Sequence, residues 1–474
     1  MTERGQAPFA DPYSPRRRTA LILTGTGTAG AYHAGVLRAL HEAGVKLDIV
    51  AGRGIGSVGA LFAAVDGTQR LWDEKGFWRA PAVRRLYQWR PVLQLTVAAL
   101  FVAVALVAVP LAVMAAGLVV FPIDFVLKML GASGASGLVR RYLDLAEAAF
   151  APTALPTWLP RLVLMVFGLA GITAAAAGWI ERSRRRHRGS VWWRVVRAPL
   201  SAAAAVNHCW AVMWDLVRGA AVLAQPTPDD LGRRYGELLA DNLGQPGFRE
   251  LLIAVHDMDA HRDLIFVLVG EGRRRDLMRR STSAETDTRR AELLDLSGMA
   301  RGHLTDAIAA SLAVPLATEP HTIRFAPDAY WRGEAHRLCD RPASLLRLVD
   351  ELAILEAEQI VLVSAAPDVL GPHALAPPRL DGRGRIGEYL QSSEAASVRD
   401  VVRRRTVESG PRIFTIQPAH NPIGPFDFAG GFDDRSDRVQ PLAELMTRGY
   451  EDAYHQFIEP VVGASGDRVG QGVS

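Results

Sequence analysis

Two glycine-rich turns near the start of the chain combine residue types that can hold an anion and attack a carbonyl. The first reads Gly25-Thr26-Gly27-Thr28-Ala29-Gly30 and the second reads Ile55-Gly56-Ser57-Val58-Gly59-Ala60. Backbone N–H groups at a helix N-terminus lack partners and carry partial positive charge, so they favour a bound anion. A serine on a tight turn beside such donors can attack a carbonyl carbon while the oxyanion is stabilised. Ser57 is therefore the candidate nucleophile, and residues 25–30 are the candidate oxyanion hole.

The segments around these turns predict two successive strand–turn–helix units. Residues 20–24 and 47–51 are short apolar runs, which favours buried strands. Residues 31–43 carry apolar side chains at helical spacing, and Gly44 then ends that helix. Residues 60–65 predict a second helix. Each turn is thus expected to join the end of a strand to the start of a helix.

This arrangement resembles the patatin-like phospholipase family. In that family a GGGxxG turn supplies the oxyanion hole, a GxSxG elbow carries the nucleophile, and an aspartate in a DGG or DGA segment completes a Ser-Asp dyad. The resemblance implies an α/β fold, a three-layer α/β/α domain. It also implies a serine acyl hydrolase of the phospholipase or lipid esterase type, acting on membrane lipid esters. Residues 307–315, AIAASLAVP, are similar to the family's ASxAxP helix end.

The position of the acid in that dyad stays open, because residues 325–342 contain no DGG or DGA. Aligning the aromatic pair and its following glycine with the family pattern puts Arg332 there, and arginine cannot accept the serine proton. Counting back from the proline at the end of the window puts Glu334 there instead, as a candidate base. Asp340, Asp328 and loss of the base are the other possibilities. With the base lost, the chain would be a catalytically inactive membrane scaffold or lipid-binding protein on the same fold.

The first turn also permits a rival interpretation as a dinucleotide-binding site. Residues 25–30 match GxGxxG between a strand and a helix. That fold requires an acid at the far end of the second strand, whereas Asp48 lies at its near end and Arg53 at its far end. Arg53 would suit a 2′-phosphate, as in NADPH, but nucleotide binding leaves the serine turn unexplained. The patatin-like interpretation, which requires no metal and no cofactor, accounts for both turns.

Composition points to a membrane rather than to nucleic acid. Hydrophobic residues make up 49% of the 474 residues, and the excess is concentrated between residues 91 and 225. The formal net charge is +4, but the arginines cluster beside apolar runs rather than on one basic face. Membrane lipids are therefore the expected partners. The two cysteines, Cys209 and Cys339, provide neither a disulfide framework nor zinc-ligand spacing.

Two uncharged stretches predict a transmembrane hairpin, with spans at about residues 92–123 and 162–180. Arginines precede the first stretch and follow the second, whereas residues 124–160 carry both signs. The positive-inside rule then predicts an integral protein of the cytoplasmic membrane, with the α/β domain and both termini on the cytoplasmic side. Residues 198–218, rich in tryptophan but short, are expected to form an interfacial helix.

These patterns predict one α/β domain interrupted by the hairpin. Residues 1–19 are expected to be a disordered leader, because they are polar, rich in proline and lack a signal-peptide core. Residues 20–80 and 229–465 are expected to form the two parts of the domain, and residues 81–225 the membrane insert.

Overall fold

The computed structural model describes residues 13–131, 136–183, 198–279, 291–298, 300–368, 381–407, 410–433 and 435–463. Contacts within the chain divide it into two compact units. One consists of residues 1–88 and 200–474, and the other of residues 89–199.

The strands of the described residues are short, and most belong to one mixed sheet. They are β1 (Thr19–Thr24), β2 (Ile49–Arg53), β3 (Gln88–Trp89), β4 (Leu200–Ser201), β5 (Glu250–Asp257), β6 (Arg262–Leu268), β7 (Leu293–Asp295), β8 (His321–Arg324), β9 (Ala335–Cys339), β10 (Gln359–Ser364), β11 (Arg412–Ile416), β12 (Gly431–Asp433) and β13 (Arg438–Gln440). The nine-stranded sheet has the order β11-β10-β1-β2-β5-β6-β7, and β9 pairs with both β5 and β8. Pairing is parallel from β11 through β5 and antiparallel between β5 and β6.

The helices alternate with the strands at both ends of the chain. They are α1 (Ala29–Glu42), α2 (Gly56–Ala64), α3 (Gln69–Trp72), α4 (Pro91–Met129), α5 (Ser136–Phe150), α6 (Leu155–Ser183), α7 (Ala203–Val217), α8 (Pro228–Asn242), α9 (Glu271–Arg279), α10 (Leu304–Leu312), α11 (Ser344–Ile354), α12 (Gly382–Val407) and α13 (Leu442–Ala453), followed by a π-helix, Tyr454–Val462.

Both faces of the sheet are buried, which explains the continuous apolar strands. Leu21 and Leu23 of β1 belong to a core that includes residues of α1, α2 and α10, whereas Ala20 and Ile22 belong to a second core with residues of α11 and α12. Successive side chains of a strand point to opposite faces, so helices cover the sheet on both sides. The predicted α/β class is confirmed.

The second unit consists of α4, α5 and α6. The two predicted spans fall within α4 and α6, and two helical stretches, Leu93–Met129 and Gly137–Thr173, are long and apolar enough to cross a bilayer. Large apolar side chains such as Leu95, Phe101 and Leu118 are more than 70% exposed. The length and composition of these helices thus permit membrane crossing.

Two expectations from the sequence need correction. Within the expected leader, Tyr13 is fully buried and its ring packs against Phe457. Its hydroxyl donates a hydrogen bond to the Lys46 carbonyl. Residues 1–12 lie outside the described part of the chain. The expected interfacial helix is α7, a helix of the first unit. Its tryptophans serve the protein core, since Trp210 is fully buried together with Cys209.

Candidate active site

The two glycine turns lie side by side at the carboxyl edge of the sheet. Strands β1 and β2 are parallel neighbours, and each runs into its turn and then into a helix, α1 or α2. The Ile55 N–H of the second turn donates to the Gly25 carbonyl of the first, with N and O 3.0 Å apart. This edge is where parallel α/β sheets place their ligands.

The tip of the second turn is a glycine, not the serine. Gly54 has a φ of +55°, and α2 begins two residues later at Gly56. In a nucleophile elbow the reactive side chain stands on the sharp, strained residue between strand and helix. The residues around that position, Gly52-Arg53-Gly54-Ile55-Gly56, carry no side chain at the strained point. The expectation that Ser57 stands at the tip is therefore corrected.

Ser57 is the second residue of α2, and its hydroxyl faces the interior. The side chain has no solvent exposure, and its Oγ has no hydrogen-bond partner among the described residues. The backbone of Ser57 lies close against β2, since a Cβ added to Gly52 would be 2.6 Å from the Ser57 Cα. A hydroxyl without a base cannot be activated for attack.

Glu334, the expected base, is engaged elsewhere. Its side chain is 66% exposed, and its Oε2 lies 3.2 Å from Nε2 of His336. That histidine is in turn held by Asp257, with Nδ1 and Oδ2 2.6 Å apart. The structure therefore does not join Ser57 and Glu334 in a dyad. Asp328 and Arg332 lie with Glu334 on the exposed turn between β8 and β9.

Asp340 is the acid that the fold brings to the elbow. It follows β9 directly and is buried. A Cβ added at Gly54 would lie 2.9 Å from the Asp340 Oδ2 atom. The same added Cβ would be 2.2 Å from the Gly25 carbonyl oxygen. The glycine turn has thus closed over the position that a nucleophile would occupy.

Arg53 fills the space beside that position with a buried ion-pair network. Its Nη1 donates to Asp340 Oδ1 at 2.6 Å, its Nε donates to Thr24 Oγ1 at 2.7 Å, and its Nη2 donates to Glu394. The Thr24 hydroxyl donates to Glu394 at 2.6 Å, and Thr26 Oγ1 lies 3.4 Å from Asp340. Burial raises the pKa of Asp340, and the Arg53 guanidinium opposes that rise.

This network also argues against the nucleotide interpretation. Arg53 has no exposed surface and shares its guanidinium between two carboxylates. A buried cation already paired in this way cannot meet a 2′-phosphate without leaving two carboxylates uncompensated. Sequence reasoning missed Glu394, which α12 supplies from 341 residues away in the chain. The available signal was Arg53 itself, since arginine at the end of a buried strand needs a partner.

Three of the six expected oxyanion donors, the N–H groups of Thr28, Ala29 and Gly30, donate to backbone carbonyls. The Thr28 N–H donates to Pro425 at 3.0 Å, and the N–H groups of Ala29 and Gly30 close local turns at 3.3 Å. The Thr28 hydroxyl donates to the Gly424 carbonyl at 2.9 Å. Residues 421–428 thus cover the first turn.

The space that remains between these elements is very small. A cavity lined by Gly25, Thr26 and Pro425, among others, has a volume of about 20 Å³. That is room for one water, whereas sites for small ligands usually measure about 300–1,000 Å³. No acyl group fits there in this conformation.

His33 adds a buried side chain that stays uncharged. Its Nε2 hydrogen bonds the Thr24 carbonyl at 3.1 Å, and its Nδ1 has no partner among the described residues. Burial, aided by the Arg53 charge, lowers the pKa of His33 to about 3 despite that hydrogen bond. The described residues contain no cluster of three potential metal ligands.

Comparisons with known proteins agree with the motif at the start of the chain. Residues 21–161 match the family model "Patatin-like phospholipase". "Patatin-like phospholipase domain-containing protein 6" from Homo sapiens is 44% identical over 78 residues, which is 16% of this chain and 6% of the relative. "Lysophospholipase nte1" from Aspergillus fumigatus is 50% identical over 82 residues, 17% of this chain and 5% of the relative.

The chain thus matches only about one-twentieth of the length of these relatives. A solved structure, "Crystal structure of VipD from Legionella pneumophila", aligns with 95% of this chain and 67% of its own at 12% identity, with a TM-score of 0.30. The family assignment comes from the sequence matches, and the family model spans both glycine turns. Residues 21–161 of the chain are thus similar to the patatin-like phospholipase family.

Proposed function

We propose that this chain is a membrane-anchored, lipid-binding member of its hydrolase family that does not cleave esters by the family's serine chemistry. The observation that carries the proposal is the glycine at the strained tip of the elbow. Asp340 lies close to Gly54, but Gly54 has no hydroxyl. Ser57 has a hydroxyl, but no base lies within hydrogen-bond distance of it among the described residues.

The surroundings of the elbow support the same conclusion. An acyl transfer site needs free N–H donors aimed at the developing oxyanion and room for the acyl group. The Ile55 and Thr28 N–H groups already donate to carbonyls, and the cavity beside them holds about 20 Å³. The Arg53 guanidinium keeps Asp340 paired, so this carboxylate is not available as a proton acceptor.

Hydrolysis through Ser57 is the second candidate, favoured by the names of the relatives, which include phospholipases and lysophospholipases. It requires the Pro425 segment to open and the Ser57 side chain to turn toward a carboxylate. The substrate would then be a lipid ester in the adjoining membrane.

A fluorophosphonate probe, which labels activated serines, distinguishes the two candidates. The full chain in lipid nanodiscs is expected to remain unlabelled, as is Ser57→Ala, while a serine hydrolase added to the same sample confirms that the probe is reactive. Labelling of the wild type that is lost in Ser57→Ala would establish the hydrolase instead. Labelling retained in that variant would reveal another reactive serine and would equally defeat the proposal.

The membrane part of the proposal places α4 and α6 across the bilayer with the first unit on the cytoplasmic side. Helix α4 has 39 residues, about 58 Å, and α6 has 29, so each exceeds the ~30 Å hydrocarbon core. The chain should resist extraction from membranes by alkaline carbonate. Release into the supernatant would refute integral insertion without bearing on the serine.

A further inference from the structure

A second, much larger cavity lies beside β7, the edge strand of the sheet. Its volume is about 1160 Å³, and it shares no lining residue with the small cavity at the glycine turns. Residues 326–334, the turn that joins β8 to β9, form one of its walls. Asp328 and Arg332 of this turn line the cavity without a charged partner in the described part of the chain. The contacts that hold the turn therefore set the shape of the cavity.

The turn is compact in itself but has few polar contacts with the rest of the fold. Its backbone hydrogen bonds join Gly333 to Ala326 at 3.1 Å and Glu334 to Trp331 at 2.9 Å. Among the described residues, two of its side chains hydrogen bond to groups outside the turn. Trp331 donates from Nε1 to the Ala291 carbonyl at 3.1 Å, and Glu334 contacts His336 of β9.

His336 lies between two carboxylates, one fixed and one exposed. Its Nδ1 is 2.6 Å from Oδ2 of Asp257, and its Nε2 is 3.2 Å from Oε2 of Glu334. Asp257 is fully buried at the end of β5, and its Oδ1 also accepts the N–H groups of Asp259 and Ala260. The Glu334 side chain is 66% exposed. His336 thus links a fixed point of the sheet to the turn.

The two contacts of His336 together require a charged ring. An ionised carboxylate has acceptor oxygens only, so each ring nitrogen must carry a hydrogen to donate to its neighbour. The imidazolium has both hydrogens, whereas neutral histidine has one. After loss of a proton, the remaining hydrogen stays on Nδ1, because Asp257 is closer and buried. The Nε2 lone pair then faces the Glu334 carboxylate and repels it.

The other groups around His336 do not supply the missing hydrogen. Arg337, the next residue of β9, is paired with Asp259, with Nη2 and Oδ1 2.6 Å apart. Phe325 and Trp331 pack on the imidazole with ring centroids at 5.1 and 4.5 Å, and both rings are uncharged. The contact with Glu334 therefore depends on the protonation of His336 itself.

The environment of His336 sets the direction of the pH dependence. Burial lowers the pKa of His336, but the hydrogen bonds to Asp257 and Glu334 outweigh it and raise that pKa above the ordinary value. An open turn lacks the Glu334 contact and binds the proton less tightly. The closed turn is therefore stabilised below the ordinary histidine pKa near 6.5, and this stabilisation is lost as the pH rises through the raised value.

A second histidine of the β8–β9 hairpin provides a contrast. His321, at the start of β8, lies 2.7 Å from Asp306 of α10, which also contacts His303 at 2.8 Å. Here one carboxylate accepts from two rings, and a neutral histidine can supply each hydrogen. These contacts need no charged ring, so they persist at alkaline pH.

We infer that His336 is a pH-sensitive latch for the wall of the cavity beside β7. The imidazolium form bridges Asp257 and Glu334 and holds residues 326–334 in place. The neutral form keeps Asp257 and releases Glu334, so the turn opens and the cavity loses this wall. The latch regulates the cavity and is independent of whether Ser57 is reactive.

Hydrogen–deuterium exchange of the full chain in lipid nanodiscs from pH 5 to pH 9 tests the latch. Exchange of peptides that span residues 326–336 is divided by the intrinsic rate at each pH, which leaves the opening equilibrium of the turn. In the wild type this equilibrium should shift about fivefold toward the open form as the pH rises, since one charge-assisted hydrogen bond is lost. Peptides from β1, an interior strand, should show no such shift.

Three variants assign the pH dependence. Glu334→Gln can donate an amide N–H to the neutral Nε2, so its turn should stay closed throughout the pH range. His336→Gln removes the titrating group, so its opening equilibrium should not change with pH. His321→Gln is the matched control, because it removes a histidine–carboxylate contact of the same hairpin and should keep the wild-type pH dependence. Thermal midpoints verify folding, and Glu334→Gln alters only an exposed side chain.

Three results would overturn the inference. An opening equilibrium that is constant with pH in the wild type would remove the latch. Wild-type pH dependence in Glu334→Gln or His336→Gln would place the titrating contact elsewhere, and its loss in His321→Gln would deny a specific role to His336. None of these results bears on the fluorophosphonate experiment, so failure here is distinguishable from failure of the proposed loss of hydrolysis.

Discussion

The glycine-turn site and the cavity beside β7, which is lined by residues of α9, β7 and the turn between β8 and β9, differ in volume and in how their charges are paired. The first holds about 20 Å³, and its charges, Arg53, Asp340 and Glu394, are buried and paired with one another. The second holds about 1160 Å³ and leaves one charge of each sign without a partner among the described residues. The glycine turns thus carry the residue types of a catalytic site but leave no room for a ligand, whereas the cavity beside β7 has room for a ligand but was not expected to hold a nucleophile. The family resemblance locates the glycine turns. The cavity is seen only in the packing of the folded chain.

Removal of the Arg53 charge should change the stability of the protein more than the other variants. It tests whether ion pairs hold the glycine-turn site closed. Arg53→Met is expected to lower the free energy of unfolding by about 3–5 kcal/mol, since two carboxylates are left buried without a cation. Thermal and urea unfolding of the nanodisc-bound chain measure this loss.

Arg38→Met is the matched control for that variant. Arg38 also pairs with a glutamate, but both side chains are more than 40% exposed, so the expected change is under ~1 kcal/mol. A triple variant, Arg53→Met with Asp340→Asn and Glu394→Gln, should recover part of the loss because it removes the uncompensated charges. Equal effects of Arg53→Met and Arg38→Met would contradict the description of a buried network.

Insertion of a side chain at the elbow should have the next largest effect. Gly54→Ser places a Cβ about 2.2 Å from the Gly25 carbonyl oxygen at a positive φ, so the first turn must move. We expect a loss of roughly 2–3 kcal/mol, measured by thermal unfolding. Gly236→Ala, within α8, adds a Cβ that meets no atom within 4 Å, so this variant should be neutral or slightly stabilising. A fully stable Gly54→Ser would mean that the turn is not closed over the elbow.

Sequence reasoning reached the α/β class and the pairing of the two turns because both depend on local pattern. Short apolar strands and glycine at a strand–helix junction have few structural solutions. The tip of the elbow was predicted three residues too late because the serine stands in the GSVG segment. The position of the strained residue is set instead by the end of β2 at Arg53. Glycine at position 54 permits that backbone angle, but glycines also stand at positions 52, 56 and 59, so residue type alone did not identify the strained residue.

The acid could not be chosen from the sequence for a related reason. Asp328, Glu334 and Asp340 lie within 13 positions of one another, and alignment by spacing favoured Glu334. The choice depends on β9 ending at Cys339, which delivers Asp340 to the elbow and leaves Glu334 before the strand. Pairing of β9 with β5 sets that register, and it is a contact over about 80 residues that no local pattern encodes.

Two buried histidines should show the smallest effect and the clearest contrast. His33 lies beside the glycine turns, and His336 hydrogen bonds to Glu334, a residue that lines the cavity beside β7. The pKa of His33 falls to about 3 because burial excludes the charged form. Burial also disfavours charged His336, but the hydrogen bonds to Asp257 and Glu334 outweigh it and raise the His336 pKa. Below pH 6.5 the unfolded chain protonates His33 while the folded chain does not, so this residue costs stability increasingly as the pH falls toward 3.

The contribution of His336 to stability depends on pH in the opposite direction. Its contribution is fully present below the ordinary histidine pKa near 6.5, and it is lost as the pH rises through the raised value. The free energies of unfolding of His33→Gln and His336→Gln, compared with the wild type from pH 5 to pH 9, should therefore diverge in opposite directions, with differences on the order of 1 kcal/mol. The His33→Gln difference should change on the acidic side and the His336→Gln difference on the alkaline side. Parallel curves would mean that the two histidines share one environment, and the contrast between a sealed site and an open, charge-lined cavity would then lose its electrostatic basis.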